Sequence, residues 1–216
     1  MNKSTPTPIL TKDISRKTFI PGAILTGDWQ IESSTQGEYY FSGKNTIHGV
    51  VRSGAIDIIC RTNTPNTDID IRLLVIGQSE PIQIQILLEL AHQNTIGKVE
   101  VLSIGGSGGN IAISLEGSAI SGVSETRLSI HQENLLLSPS ARIRGIPSLR
   151  VATDGVQAAH SATFSRISPD DLTYLQSRGL SEILARDLIL AGKVQTLFSD
   201  LSQEEISDIL SGIQYV

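Results

Sequence analysis

The chain is poor in the residues that advertise chemistry. Of its 216 residues one is cysteine, one is tryptophan, one is methionine and four are histidine. A lone Cys60 excludes an internal disulfide and a cysteine-rich metal knuckle. Lying beside Ile58, Ile59 and Arg61, it reads as a small buried hydrophobe. Aromatics make up 4% of the chain against 39% for all hydrophobic residues, so any core is built from Ile, Leu, Val and Ala. No apolar run is long enough to span a bilayer, and the N-terminal MNKSTPTPIL lacks the apolar stretch of a signal peptide; a cytoplasmic chain with no membrane partner is expected. Cations are scarce too: 17 Lys and Arg stand against 22 Asp and Glu, a net charge of −5. That balance argues against a phosphate-binding surface, and so against nucleic acid as a partner.

What the chain does have is aliphatic alternation. Residues 1–20 mix Ser, Thr, Pro and Lys without periodicity and read as an extended or disordered lead-in. Over 21–166 short aliphatic runs are broken by Gly, Asn and Pro, the pattern of strands and turns. The clearest strands are expected at 55–60, 68–76, 82–90, 98–104 and 110–115. In Ile69-Asp70-Ile71-Arg72-Leu73 and Ile82-Gln83-Ile84-Gln85-Ile86 every second side chain is aliphatic, which predicts one buried and one wet face per strand. No helical pattern long enough for a crossover separates the strands, leaving a sandwich, a barrel or a solenoid. The aliphatic composition and short Gly/Asn/Ser corners favour the solenoid, although no fixed repeat period is visible.

Two tempting motifs carry nothing. Gly105-Gly106-Ser107-Gly108-Gly109 is not followed by the Lys-Ser/Thr of a phosphate loop and reads as a hairpin turn. Ser161, His160 and Asp154 lie close in sequence, but no Gly-x-Ser-x-Gly elbow accompanies them, so a hydrolase triad is not expected.

After residue 166 the texture becomes helical. Ser168 followed by Pro169, Asp170 and Asp171 is a helix start, and a first helix is expected over 169–178, stopping at Gly179. Ser181 caps a second, with Ile183, Leu184, Leu188 and Leu190 on its apolar face and an end at Gly192. Ser202 and Glu205 form a capping box for a third, flanked by Leu201 and Ile206. A small helical domain over 167–216 follows.

One stretch carries a resemblance. Leu135-Leu136-Leu137-Ser138, Ala141-Arg142-Ile143, Pro147-Ser148-Leu149, Val156 with Ala159-His160-Ser161-Ala162-Thr163, Tyr174-Leu175-Gln176-Ser177-Arg178-Gly179-Leu180 and Ala185 follow one another at the spacing of the SufB/SufD family of iron–sulfur cluster assembly proteins. A looser echo reaches back to Ala91-His92 and Asn94-Thr95. The resemblance implies a mainly β fold, a right-handed parallel β-helix followed by a short helical domain. It implies a scaffold rather than an enzyme, one that pairs with a SufB/SufD-type subunit as a homo- or heterodimer and works with a SufC-like ATPase. It further implies a transient iron–sulfur cluster as cofactor, with no nucleotide bound by this chain.

His160 aligns with a family histidine near the subunit interface, and His131 and Gln132 are weaker cluster-site candidates; His92 ranks with His131, and His48 is weaker still. In SufB-type subunits a required cysteine falls at Gln132 and an acid at Ser161, so this chain is closer to the SufD type. Tyr174, Leu175, Arg178, Gly179 and Leu180 are the candidate ATPase-docking residues. The family's long N-terminal helical region has no counterpart in residues 1–54, and the solenoid is short, so a minimal subunit is expected. Two other readings remain open: a structural paralogue keeping only the dimer and ATPase contacts, and a polysaccharide-acting β-solenoid, for which paired acids or aromatic platforms would be needed.

Overall fold

The computed structural model describes residues 24–215. The lead-in expected over 1–20 lies outside them. Eleven strands come first: β1 Ile24–Gln30, β2 Gln36–Val51, β3 Gly54–Thr62, β4 Asp68–Gly77, β5 Pro81–Leu90, β6 Ile96–Gly105, β7 Asn110–Ala119, β8 Thr126–Leu136, β9 Arg142–Arg144, β10 Ser148–Val151 and β11 Val156–Ser165. Three helices follow, α1 Pro169–Ser177, α2 Glu182–Leu197 and α3 Gln203–Leu210. Every strand pairing is parallel, in the order β10-β7-β5-β3-β2-β4-β6-β8-β11, with β1 on β2 and β9 on β7. This is a parallel β-solenoid of about four turns. The long β2 belongs to both walls: its first half pairs β3 and its second half pairs β4.

Successive coils set like on like. In one wall the inward column runs Ile47, Ile71, Val99, Ile130. In the other, Ile58 stacks on Ile86 and Leu115, and Tyr39 on Cys60, Leu88 and Gly117. Apart from Gly117 these side chains are all at most 3% exposed. Each buried Ile or Leu contributes about 1.5–3 kcal/mol relative to an exposed one. Gly117 is required by space: a Cβ there would stand 2.9 Å from Ile130 Cδ1 and from Leu149 Cδ2.

The corners explain the missing repeat period. Asn66 and Asn94 adopt left-handed backbone at φ 59° and 52°, and Glu125 does so at 53°. The threonine after each, Thr67, Thr95 and Thr126, is buried, and Thr95 Oγ1 lies 3.3 Å from Thr126 Oγ1. Asn94 Nδ2 donates to Asn66 Oδ1 at 2.5 Å. The coils between these matching corners differ in length, so the same stacking recurs without a constant spacing in sequence.

Three expectations are corrected. The glycine-rich stretch at 105–109 is not a hairpin turn: β6 pairs β4 and β8, whereas β7 pairs β5, β9 and β10, so it is a solenoid corner. Its glycines make room for the C-terminal tail, since Ser107 N–H donates to Gln214 O at 3.0 Å and a Cβ on Gly106 would stand 2.8 Å from that oxygen. Nor is one face of every strand wet. Leu73 to Ile76 are all buried, because Leu74 and Ile76 point outward under the helices with Leu102, Ile104 and Leu135. Finally, α2 does not end at Gly192 but continues to Leu197. Burial of Val194 and Leu197 outweighs the roughly 1 kcal/mol that an interior glycine costs.

The helices are fastened by more than their apolar face. Arg52 donates to Ile209 O near the C-terminus of α3, and Arg72 Nη1 lies 3.5 Å from Leu197 O at that of α2. Both cations meet the negative ends of helix dipoles. Lys193 of α2 pairs with Glu133 of β8.

Candidate functional site

Two surfaces emerge from this architecture: the open end of the solenoid and the outer side of the helices.

At the open end β11 pairs β8 from Val156↔Thr126 to Ser165↔Leu135 and is the last strand of its sheet. Among the described residues no coil lies above it, and its side chains are exposed apart from the half-buried Val156 and Ala162. Natural edge strands are normally blunted by charge, proline or a bulge. This one, VQAAHSATFS, has none of the three. Apolar surface accompanies it: Phe164 is 48% exposed, Val151 38% and Ile146 77%.

Strand alternation separates the sequence-derived candidates. His160 continues the inward column above Ile130, and Ala162 continues it above Gln132. Gln132 thus lies diagonally below His160 inside the solenoid, whereas His131 points to the opposite face. Gln132 is fully buried; its Nε2 donates to Asn134 Oδ1 at 2.9 Å, and its Oε1 has no hydrogen-bond partner. Asn134 Nδ2 in turn donates to Thr163 O on β11 at 3.0 Å. On the outer face His131 Nδ1 and Ser161 Oγ are hydrogen-bonded at 2.5 Å. Ser161 and His160 therefore project to opposite sides of β11, which removes any Ser161–His160 dyad. His92 Nδ1 lies 3.0 Å from Thr62 O, a corner contact. His48, in register with Arg72 on the outer wall, is held below the usual histidine range by burial, against the pull of Asp200 and Asp28.

Cluster chemistry needs thiolate, imidazole or carboxylate donors. Cys60 is fully buried, and burial pushes its thiol up to about 12. Among the described residues no group of three or more His, Cys, Asp or Glu side chains could hold a metal ion. Of the sequence-derived candidates His160 is the one that β11 presents at the open end; Asp154 of the same coil is exposed as well.

On the second surface the Tyr174–Leu180 block is a helix stop. Gly179 N–H donates to Gln176 O and Leu180 N–H to Leu175 O, the two bonds of a Schellman cap, with Gly179 at φ 93°. This explains why glycine and then leucine follow Arg178. The cap leaves Tyr174 58% exposed with the Arg178 guanidinium 5.3 Å from its ring centroid. Helix α1 buries none of its residues.

Sequence reading missed the neighbouring groove. Of the four residues given to the apolar face of α2 only Leu190 is buried; Ile183, Leu184 and Leu188 are 64%, 58% and 52% exposed. They line a groove of about 540 Å3 between α2 and α3, shared with Leu180, Leu210 and Tyr215. The available signal was width: Ala185, Leu190, Val194 and Leu197 already make one full stripe, so Ile183, Leu184 and Leu188 form a second.

Residues 52–193 match the family model described as SUF system FeS cluster assembly, SufBD core domain. Curated relatives named iron-sulfur cluster assembly SufBD family proteins are similar to parts of the chain. That of Pyrococcus horikoshii is 34% identical over 93 residues, 43% of this chain and 21% of the relative. That of Synechocystis is 44% identical over 57 residues, 26% and 13% of the two chains. That of Mycobacterium leprae is 30% identical over 118 residues, 55% and 14%. The matches thus span a small part of each relative's length.

Proposed function

Because the chain belongs to the SufBD core family of the SUF system, we propose that it is a scaffold subunit for iron–sulfur cluster biogenesis, not an enzyme. One observation carries the reading: an exposed, uncharged terminal strand with His160 at its centre, whose free edge demands a partner. Adding a strand there satisfies the unpaired backbone groups and covers Phe164, Val151 and Ile146. The pairing subunit is a second SufB/SufD-type solenoid. The ATPase of the same system is the proposed partner for the helical side, with Tyr174, Arg178 and the Leu184/Leu188 groove as anchors. Aromatic, arginine and leucine side chains around a pocket suit such a contact.

The cluster is cargo. His160 is the donor this chain offers it, and the remaining donors come from the paired subunit. Gln132 is buried and bonded to Asn134, and Ser161 is an exposed hydroxyl bonded to His131, so neither position supplies a thiolate, imidazole or carboxylate donor. That same observation favours a second reading, a purely architectural paralogue.

Co-expression with the SUF ATPase and a SufB-type subunit, followed by affinity purification, tests the scaffold. Co-elution of both partners is expected, with the ATPase lost in Leu184→Asp and the second subunit lost in Ala159→Lys. Failure of both partners to co-elute with a folded chain refutes the proposal. Anaerobic reconstitution of the complex with iron and sulfide then separates the two readings: His160→Ala lowers the visible cluster absorbance if the chain donates a ligand and leaves it unchanged if the chain is architectural.

A further inference from the structure

We propose that the groove between α2 and α3 is a docking site for this chain's own first residues, with Ile9 and Leu10 seated in it and Lys12, Arg16 and Lys17 lying along the acidic rim of α3. The docking does not depend on the ATPase reading above; only its consequence does, that a partner using the same groove must first displace the lead-in.

Charge is divided along the chain so that its two ends attract. Residues 167–216 hold eight carboxylates against three cations, whereas residues 1–23 hold Lys3, Lys12, Arg16 and Lys17 against Asp13 alone. The helical cations are already engaged: Arg186 pairs with Glu182, Lys193 with Glu133 on the solenoid, and Arg178 lies over Tyr174. Glu204 and Asp208 of α3 are exposed, and among the described residues no ion pair involves either. Each follows a residue that lines the groove, Gln203 and Ser207 respectively. The groove itself offers Ile183, Leu184 and Leu188, all more than half exposed. A segment that covers it needs aliphatic side chains next to cations, and Ile9-Leu10-Thr11-Lys12 has both.

Reach selects the anchors. Ile24, where β1 begins, is in register with Tyr40. From Tyr40 to Val50, which packs against the layer beneath the helices, β2 runs ten residues, about 33 Å of strand, and a helix thickness of about 10 Å lies beyond. Leu10 precedes Ile24 by fourteen residues, a tether of up to about 46–50 Å, and so spans that path. Phe19 and Ile20 stay within about 18 Å of Ile24, less than the stretch of β2 from Lys44 to Val50 alone. Being tethered also holds the lead-in near the groove at an effective concentration on the order of mM, so a weak contact suffices to fill it.

Disulfide closure in the full chain tests this, since the native Cys60 is fully buried. Thr11→Cys is combined with Ser207→Cys, at an exposed serine lining the groove, or with Ser114→Cys, at an exposed serine on β7 in the other wall. Under mild oxidation at low salt the Ser207 pair is expected to close within one chain at least tenfold faster than the Ser114 pair. Added salt, and separately Ile9→Asp/Leu10→Asp, should bring that ratio toward one. Equal rates in folded proteins at low salt overturn the docking and leave the groove to a partner polypeptide. A fast bond between two chains instead of within one overturns it in favour of a second copy's lead-in, and an excess that survives Ile9→Asp/Leu10→Asp overturns the assignment of the anchors. All of these are read on the chain alone, so failure here leaves the ATPase reading of the groove standing.

Discussion

Cys60 is the one thiol available to a chain assigned to cluster assembly, and the fold predicts that it takes no part. Its Sγ lies in the inward column between Tyr39 and Leu88, fully buried, with the thiol pushed up to about 12. At pH 8 such a group is ionised to about one part in 10⁴, whereas an unfolded cysteine with a pKa of about 8.5 is ionised to about a quarter. Since the thiolate is the nucleophile, labelling by a disulfide reagent should be roughly 10³-fold slower in the native protein than in denaturant, before steric exclusion slows it further. The same shift makes a stability statement. The folded pKa is raised, so its stabilising contribution is complete below about pH 8.5 and is lost as pH rises toward 12, by up to about 1.4 kcal/mol per unit. The assay is thiol labelling at pH 8 with and without urea, alongside urea titrations at pH 8 and 10. Comparable labelling rates in the two solvents would refute the burial argument, and cluster reconstitution abolished by Cys60→Ala in a folded chain would refute the functional one.

His48 gives the acid side. Burial lowers its pKa below 6.5, so stability is complete above about that value and is lost as pH falls through it. His48→Gln should flatten the stability loss as pH falls below about 6.5 in denaturant titrations; an unchanged slope would show that other groups set it. Glu125 occupies a left-handed corner where the two coils before it use asparagine. Glu125→Asn should therefore stabilise by about 0.5–1 kcal/mol, a rise of about 1–4 °C in Tm by calorimetry. Ile206 is fully buried between α3 and the solenoid wall. Ile206→Ala should cost about 2–5 kcal/mol and loosen α2 and α3 ahead of the strands in hydrogen exchange.

Much of the fold was legible in local pattern. The strands expected at 68–76 and 82–90 appear as Asp68–Gly77 and Pro81–Leu90, because alternation states both the period and the buried face. The helix starts at Ser168, Ser181 and Ser202 hold because a cap is a bond between near neighbours: each serine hydroxyl accepts the backbone N–H three residues on. Where reading failed, the deciding partner was remote. Gly192 looks like a stop until Val194 and Leu197 are seen against Leu102 and Leu135. The glycines at 105–109 look like a hairpin until Gln214 is placed on them.

Local pattern by itself determined aliphatic strands followed by capped helices and favoured a solenoid over a sandwich or barrel, since alternation and capping serines are local choices, while the parallel form was implied by the family resemblance. The stretch that carried the resemblance, residues 135–185, lies within the 52–193 matched by the family model. Tertiary structure alone decided which side of each strand the candidates occupy. Register sends His160 and Gln132 inward and His131 outward, although the last two are adjacent in the chain. It decided, too, that β11 ends the sheet and that Ile183, Leu184 and Leu188 face a groove. Whether an edge or an apolar stripe is covered depends on what the rest of the chain leaves beside it, and no window of neighbouring residues contains that information.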